Sequence, residues 1–249
     1  MIAKIRISAI SYLNSKPFIY GIQQSRALKK YNYELETDTP SVCAEKLLKN
    51  EADIGLVPVV IIPDLKEAHI ISDFCIGSCG PVKTVMLYSQ VPLKSITHIY
   101  LDYQSRSSVV LAKILAKEYW DINPQWLPAV AGYEAIIKNT DAAVVIGDRA
   151  FKMNGNFKYE FDLAEEWQKL TNLPFVFACW VSNKKMPLNF ITDFNQALEE
   201  GLRNIPEIVA YYNENGMNLM EYFTKNISYN FDIEKRAALQ EFLNKAMRI

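Results

Sequence analysis

The chain has 249 residues, half of them hydrophobic and 22% charged, and its 27 Lys+Arg against 28 Asp+Glu leave a formal charge of −1. That is enough for one large domain or two small ones, each with a proper core, in an ordinary globular composition. It excludes the strongly basic footprint of a nucleic-acid surface, the polybasic segment of a membrane-docking protein and the run of about 18 apolar residues of a membrane-spanning helix.

Ile5, Ile7 and Ala9 alternate with Lys4, Arg6 and Ser8, a period of two that predicts a strand. Only Met1-Ile2-Ala3 precede it, without an apolar leader or a lipid-attachment cysteine, so the expected compartment is the cytoplasm. The pattern then breaks into a polar stretch, 11–16, holding Ser11, Asn14 and Ser15, and Pro17 follows as a residue suited to a first helical turn. Strand, polar turn and helix start form the unit that sets backbone N–H groups and short side chains at the mouth of an α/β crevice. An ordinary solvated connection has the same composition.

Helical patterning runs over 16–28, and a short strand is expected over 31–36. Thr39-Pro40 reads as an N-cap and first helical position for a helix to about Lys49. The compact apolar run 52–57 is a strand closed by Pro58, followed by a connector over 60–64, a strand over 68–74 and a longer one over 83–89 that leads away from this group. From Ile96 the scheme begins again: a strand over 98–101, a polar turn over 102–105 and a helix over 106–119 with Val110, Leu111, Ile114 and Leu115 on one face. A short helix over 132–138 precedes an apolar strand, 142–146, ending at Gly147-Asp148. In role, 11–17 answers 102–108 and 56–58 answers 146–148. The apolar run 173–181 is long enough to carry the chain back, and 188–249 reads as three or four helices packed on the first lobe.

Two such βαβ groups predict an α/β protein of two lobes, each a mostly parallel sheet flanked by helices. The expected boundaries are 1–89 plus 182–249 for lobe one and 90–181 for lobe two, with a substrate cleft between them at the carboxyl ends of the strands.

The chemistry is narrowed by what is missing. The sequence has no HExxH, GxxxxGK[ST], GxGxxG or GxSxG, and its two histidines, His69 and His98, lie in or beside apolar strand runs and are expected to be structural. Cys43, Cys75, Cys79 and Cys179 have no CxxC spacing and read as buried free thiols, so neither metal nor cofactor is expected. What remains are short hydrogen-bonding residues at strand ends: Ser11, Asn14, Ser15, Thr84, Ser105, Ser107 and Ser108. Ser105 is a plausible N-cap for the helix starting at Arg106, whose free N–H groups favour an anion. The pattern suits a small carboxylate-bearing ligand, and it suits plain helix capping as well.

The segments S-Y-L-N-S-K-P, D-T-P, D-I-G-L-V-P-V, G-P-V-K-T-V, Q-S-R-S-S-V, V-I-G-D-R-A and D-L-A-E-E-W…T-N-L-P-F-V-F-A-C-W occur in this order, from the first strand to about Val181. Together they resemble the chorismate dehydratase family of the futalosine route to menaquinone. The resemblance implies a fold like that of type II periplasmic solute-binding proteins, two α/β lobes joined by crossing strands. It also implies a cofactor-independent carbon–oxygen lyase that removes water from chorismate to give 3-[(1-carboxyvinyl)oxy]benzoate, with the substrate's own enolpyruvyl carboxylate as the base. Carried over by motif position, Asn14 and Thr84 are the expected catalytic residues, Thr84 standing where the family commonly has serine. Ser11, Ser105, Arg106, Ser107 and Ser108 are the expected substrate-binding residues, and Asp148 would orient Arg106 or cap a helix. The rivals are the sister 1,4-dihydroxy-6-naphthoate synthase, which typically carries an S-P-C-P-N-D-type turn and uses a histidine, and a non-enzymatic binding protein for a small carboxylate.

Overall fold

Residues 4–212 and 218–249 are described by a computed structural model of the chain. In chain order its strands are β1 (Ile5–Ile10), β2 (Tyr33–Asp38), β3 (Ile54–Pro58), β4 (His69–Ser78), β5 (Val85–Ser89), β6 (His98–Leu101), β7 (Gln125–Pro128), β8 (Asp141–Ile146), β9 (Tyr159–Asp162), β10 (Phe175–Ser182) and β11 (Ser228–Asn230). The helices are α1 (Lys16–Gln24), α2 (Pro40–Leu48), α3 (Ser107–Glu118), α4 (Asp148–Met153), α5 (Leu163–Thr171), α6 (Leu188–Arg203), α7 (Ile205–Tyr212), α8 (Leu219–Glu221) and α9 (Ile233–Ala246). None among the described residues is long and apolar enough to cross a membrane. The helix expected over 16–28 stops at Gln24, and Leu28–Lys30 form a separate 3-10 turn. The one expected over 132–138 is a 3-10 turn, Tyr133–Ile136.

Packing divides the chain into two units, Met1–Gly77 with Phe177–Asp232 and Ser78–Val176 with Ile233–Ile249. The first is built on a sheet of order β11-β4-β10-β3-β1-β2. β1 lies parallel between β2 and β3, while β10 joins β3 antiparallel. α1 lies against α6 at glycines: a Cβ on Gly21 would collide with the Ala197 carbonyl, and one on Gly201 with the Pro17 carbonyl. This close approach lets Phe18 of α1 turn fully inward, where its ring meets Trp180 at 6.0 Å and Tyr229 at 5.2 Å.

The second unit has a sheet of order β7-β6-β8-β5-β9. β6 is parallel to β7 and β8, and β5 is antiparallel to β8 and β9. Both sheets are therefore mixed. They are parallel where helical crossovers return the chain, and antiparallel where β10 and β5 enter.

Three stretches sit apart from the boundaries expected at 89/90 and 181/182. β5 pairs with β8 and β9, which puts it in the second unit. β10 already pairs with β3 from Ala178 onward, which puts 177–181 in the first. Nor do all the C-terminal helices join the first unit. α9 packs on the second: Phe242 meets Trp167 at 6.1 Å and Phe175 at 5.0 Å, and Lys245 pairs with Glu118 at 2.6 Å. Helical periodicity says that one face of α9 is buried; it does not say against which sheet.

Candidate active site

In the first unit β1 ends at Ile10, and the chain turns through the 3-10 segment Leu13–Ser15 straight into α1. Ser15 is fully buried and fixes this turn by donating its hydroxyl to the carbonyls of Ile10 and Tyr12. Pro17 lies in the first turn of α1, where its missing N–H costs nothing. The Ser11 N–H donates to the Asp38 carbonyl at 2.8 Å, so β1 and β2 stay in register to their ends. Asn14 occupies the crest of the turn, and its main-chain carbonyl accepts the Tyr229 hydroxyl at 2.9 Å. Its side-chain Oδ1 is buried and meets no hydrogen-bond donor among the described residues. An unanswered buried amide oxygen is uncommon in a folded protein, because leaving it unmade costs about 1–3 kcal/mol. A ligand donor would answer it, and the amide nitrogen beside it offers two donors and no charge.

In the second unit Thr84 and the turn after β6 meet at one end of the sheet. Their common neighbour is the carboxyl end of β8. The Ile146 N–H donates to Asp102 Oδ2 at 2.9 Å, and the next N–H, of Gly147, donates to the Thr84 carbonyl at 2.8 Å. Thr84 is buried, as are Ser107 and Ser108 at the start of α3. The Ser108 N–H donates to the Ser105 hydroxyl at 3.2 Å, the capping bond expected of Ser105, although the helix proper begins at Ser107. Arg106 between them is half-buried, and among the described residues its guanidinium has no ion pair or hydrogen bond. A capped helix start, two buried serines and an unpaired guanidinium make a site suited to an anion.

Asp102 anchors this turn and was not singled out by the sequence. Its carboxylate is fully buried and accepts from the Gln104 N–H (2.9 Å), the Ile146 N–H (2.9 Å), the Tyr133 hydroxyl (2.9 Å) and Arg149 Nη2 (2.6 Å). Burial works against the Arg149 charge, but Asp102, and after it Tyr133 and Glu134, outweigh it and raise the guanidinium pKa. Burial, reinforced by Asp102, raises the Tyr133 phenol as well. With four donors on it, the Asp102 carboxylate is committed to the protein and holds the turn in shape. Arg149 is likewise spent on two carboxylates, which leaves Arg106 as the cation of the turn.

Asp148 forms the first residue of α4. Thr39 stands at the N-cap of α2 without a side-chain capping bond; its hydroxyl lies 3.3 Å from Ser41 Oγ instead. His98 opens β6, at the opposite end of that strand from the turn, where Nδ1 lies 2.9 Å from Asp141 Oδ1. His69 Nε2 lies 2.6 Å from Glu67. Of the four cysteines, Cys43, Cys75 and Cys179 are buried as expected, and burial pushes the Cys43 thiol up to about 12. Cys79 is exposed, contrary to expectation, because it follows the last residue of β4 in an open turn. Among the described residues no three His, Cys, Asp or Glu side chains gather as a metal site would require.

Known proteins match along nearly the whole chain. A family model described as menaquinone biosynthesis covers residues 5–248. Chorismate dehydratase of Thermus thermophilus is 24% identical over 257 aligned positions, spanning 91% of this chain and 94% of that protein. Among solved structures, a protein of Archaeoglobus fulgidus superposes with a TM-score of 0.72 at 16% identity, covering 98% of this chain and 97% of its own. The periplasmic aliphatic sulphonate binding protein of Escherichia coli does so at 0.60 and 14%, covering 98% and 87%. These likenesses show a periplasmic-binding-protein-like α/β fold, and the match over 5–248 shows that the chain belongs to the menaquinone biosynthesis family.

Proposed function

We propose that this protein is a chorismate dehydratase, a cofactor-independent hydro-lyase that converts chorismate to 3-[(1-carboxyvinyl)oxy]benzoate. The reading is carried by Asn14, a neutral amide at the end of a parallel strand whose buried Oδ1 has no donor among the described residues. Likeness to the Thermus thermophilus enzyme across both units supports it.

The reaction removes a hydrogen from the ether-bearing ring carbon and the hydroxyl from its neighbour, and they leave as water. The product ring is aromatic, so the elimination runs far downhill and the protein has mainly to organise a proton transfer. The substrate's enolpyruvyl carboxylate is the base that takes the ring proton. Asn14 then serves as a neutral partner, its N–H groups for that carboxylate and its Oδ1 for the substrate hydroxyl's O–H. The carboxyl formed hands its proton to the hydroxyl oxygen as the C–O bond breaks, so that water leaves and the carboxylate is restored. Thr84 supplies a second hydroxyl near the reacting carbons. Ser105, Arg106, Ser107 and Ser108 receive the ring carboxylate, and Ser11 lines the substrate beside Asn14. Holding the side chain in its reactive conformation is a proximity effect that can supply several kcal/mol. A histidine base is disfavoured by the chain's own inventory, since His98 stands at the opposite end of β6 from the turn and His69 lies beside Glu67.

The test is to incubate the pure, desalted protein with chorismate and follow the aromatic product by chromatography and NMR. Conversion to 3-[(1-carboxyvinyl)oxy]benzoate supports the proposal. Chorismate bound but unconverted would point to a binding protein, and chorismate neither bound nor consumed would overturn the substrate assignment.

A further inference from the structure

Thr84 is preceded by a residue in a costly conformation. Lys83 is an exposed lysine with φ at 66°, in the left-handed region that a side chain with a Cβ rarely enters. Nothing about the lysine side chain calls for this, so the surroundings must enforce it. Asp162, at the end of β9, is the enforcing group. Its Oδ2 accepts the Lys83 N–H at 2.7 Å, while its Oδ1 accepts the N–H groups of Ala164 (3.1 Å) and Glu165 (3.3 Å) at the start of α5. The carboxylate is buried, and its two oxygens are divided between two elements. One caps α5, and the other grips the backbone next to Thr84. One residue further on, the Thr84 carbonyl accepts the Gly147 N–H at 2.8 Å, and Val85 enters the ladder opposite Ile146. Thr84 is therefore clamped from both sides, by Asp162 through Lys83 and by β8 through Gly147.

We propose that Asp162 is a positioning residue for Thr84: it holds Lys83 in the left-handed conformation that presents the Thr84 hydroxyl to the substrate. The inference rests on the role given to Thr84 above and deepens it. A plain helix cap needs only one of the two carboxylate oxygens, and the second is committed to a backbone N–H on a different element.

Asparagine at 162 separates the cap from the clamp, because it keeps one acceptor oxygen for α5 and loses the other. Glycine at 83 enters the left-handed region freely, so it keeps the turn's shape without the clamp. Chorismate turnover is measured for Asp162→Asn, Lys83→Gly, the double variant and Thr84→Ala, with thermal melts alongside. Asp162→Asn is expected to lower kcat about tenfold or more with KM moved by no more than about twofold. Lys83→Gly alone is expected to stay within about twofold of the parent, and the double variant to regain most of the lost rate. An unrescued double variant that stays folded at the assay temperature, beside a slow Thr84→Ala, would overturn the clamp alone. Thr84→Ala at the parent rate would overturn the role of Thr84 and this proposal with it.

Discussion

The hydroxyl of Tyr229 donates to the main-chain carbonyl of Asn14 at 2.9 Å, joining residues 215 positions apart. Tyr229 lies on β11, at the edge of the first unit's sheet, and its ring packs edge-on to Phe18, four residues beyond Asn14. The turn that carries the proposed amide is thus held by a strand from near the end of the chain. Tyr229→Phe keeps the ring and removes the donor, leaving a carbonyl unanswered at a cost of about 1–3 kcal/mol. The expected outcome is a lower kcat for chorismate with a modest fall in melting temperature. A melting shift with an unchanged kcat would make the hydroxyl purely structural.

Arg106 gives the cleanest separation of binding from folding. Its guanidinium has no partner among the described residues, so Arg106→Gln is expected to leave the melting temperature in place. The ring carboxylate would lose a charge-assisted contact, which is worth roughly 1.5–3 kcal/mol, so KM is expected to rise about tenfold or more. Ser107→Ala is expected to weaken chorismate binding in the same direction. Steady-state kinetics and melts on both variants check this, and an unmoved KM in both would place the carboxylate elsewhere.

The first strand and helix, the β6 turn and the Ser105 cap are legible in the sequence because each is written locally. Alternation marks β1, a polar break marks its end, and proline marks the start of α1. The supports of the site are not legible, because each acts across distance. Asp102 is visible as part of a polar turn, but its bond to Arg149 spans 47 positions and the Asp162 bond to Lys83 spans 79. Tyr229 carries no local sign at all. The placement of α9 escapes the sequence for a similar reason, since its periodicity marks a buried face and not the surface that covers it.

Acid stability offers a test of the first unit that is independent of substrate. Burial alone would push the Asp53 carboxyl up, but hydrogen bonds from Arg6 and Lys184 outweigh it and hold it at about 2. A carboxyl lowered on folding stabilises the fold above its unfolded pKa, and that contribution fades as pH falls from about 4 towards 2. That lowering corresponds to about 2–3 kcal/mol. Asp53→Asn is expected to lower stability at neutral pH and to flatten this acid limb in denaturant titrations. An acid limb of unchanged steepness in the variant would assign it to other carboxylates.

Elimination to an aromatic product requires neither electrons nor an external group acceptor. Exhaustive chelation and desalting are therefore expected to leave the turnover rate unchanged. A large loss restored by one divalent ion would refute cofactor independence.

The central claim is that the protein meets the enolpyruvyl side of chorismate with a neutral donor, Asn14, keeps the Arg106 cation for the ring carboxylate, and leaves the substrate to bring its own base. Asn14→Asp keeps the shape of the amide and replaces a donor with an anion facing an anion, whereas Asn14→Ala removes the group without adding charge. Steady-state chorismate dehydration by the two variants, taken beside thermal melts, is the most direct measurement. The account predicts that both lose most of the activity, that the Asp variant is the slower of the two, and that neither melts far from the parent. An Asp variant that outpaces the Ala variant would mean that a carboxylate at position 14 can act as the base, and would contradict substrate-assisted catalysis.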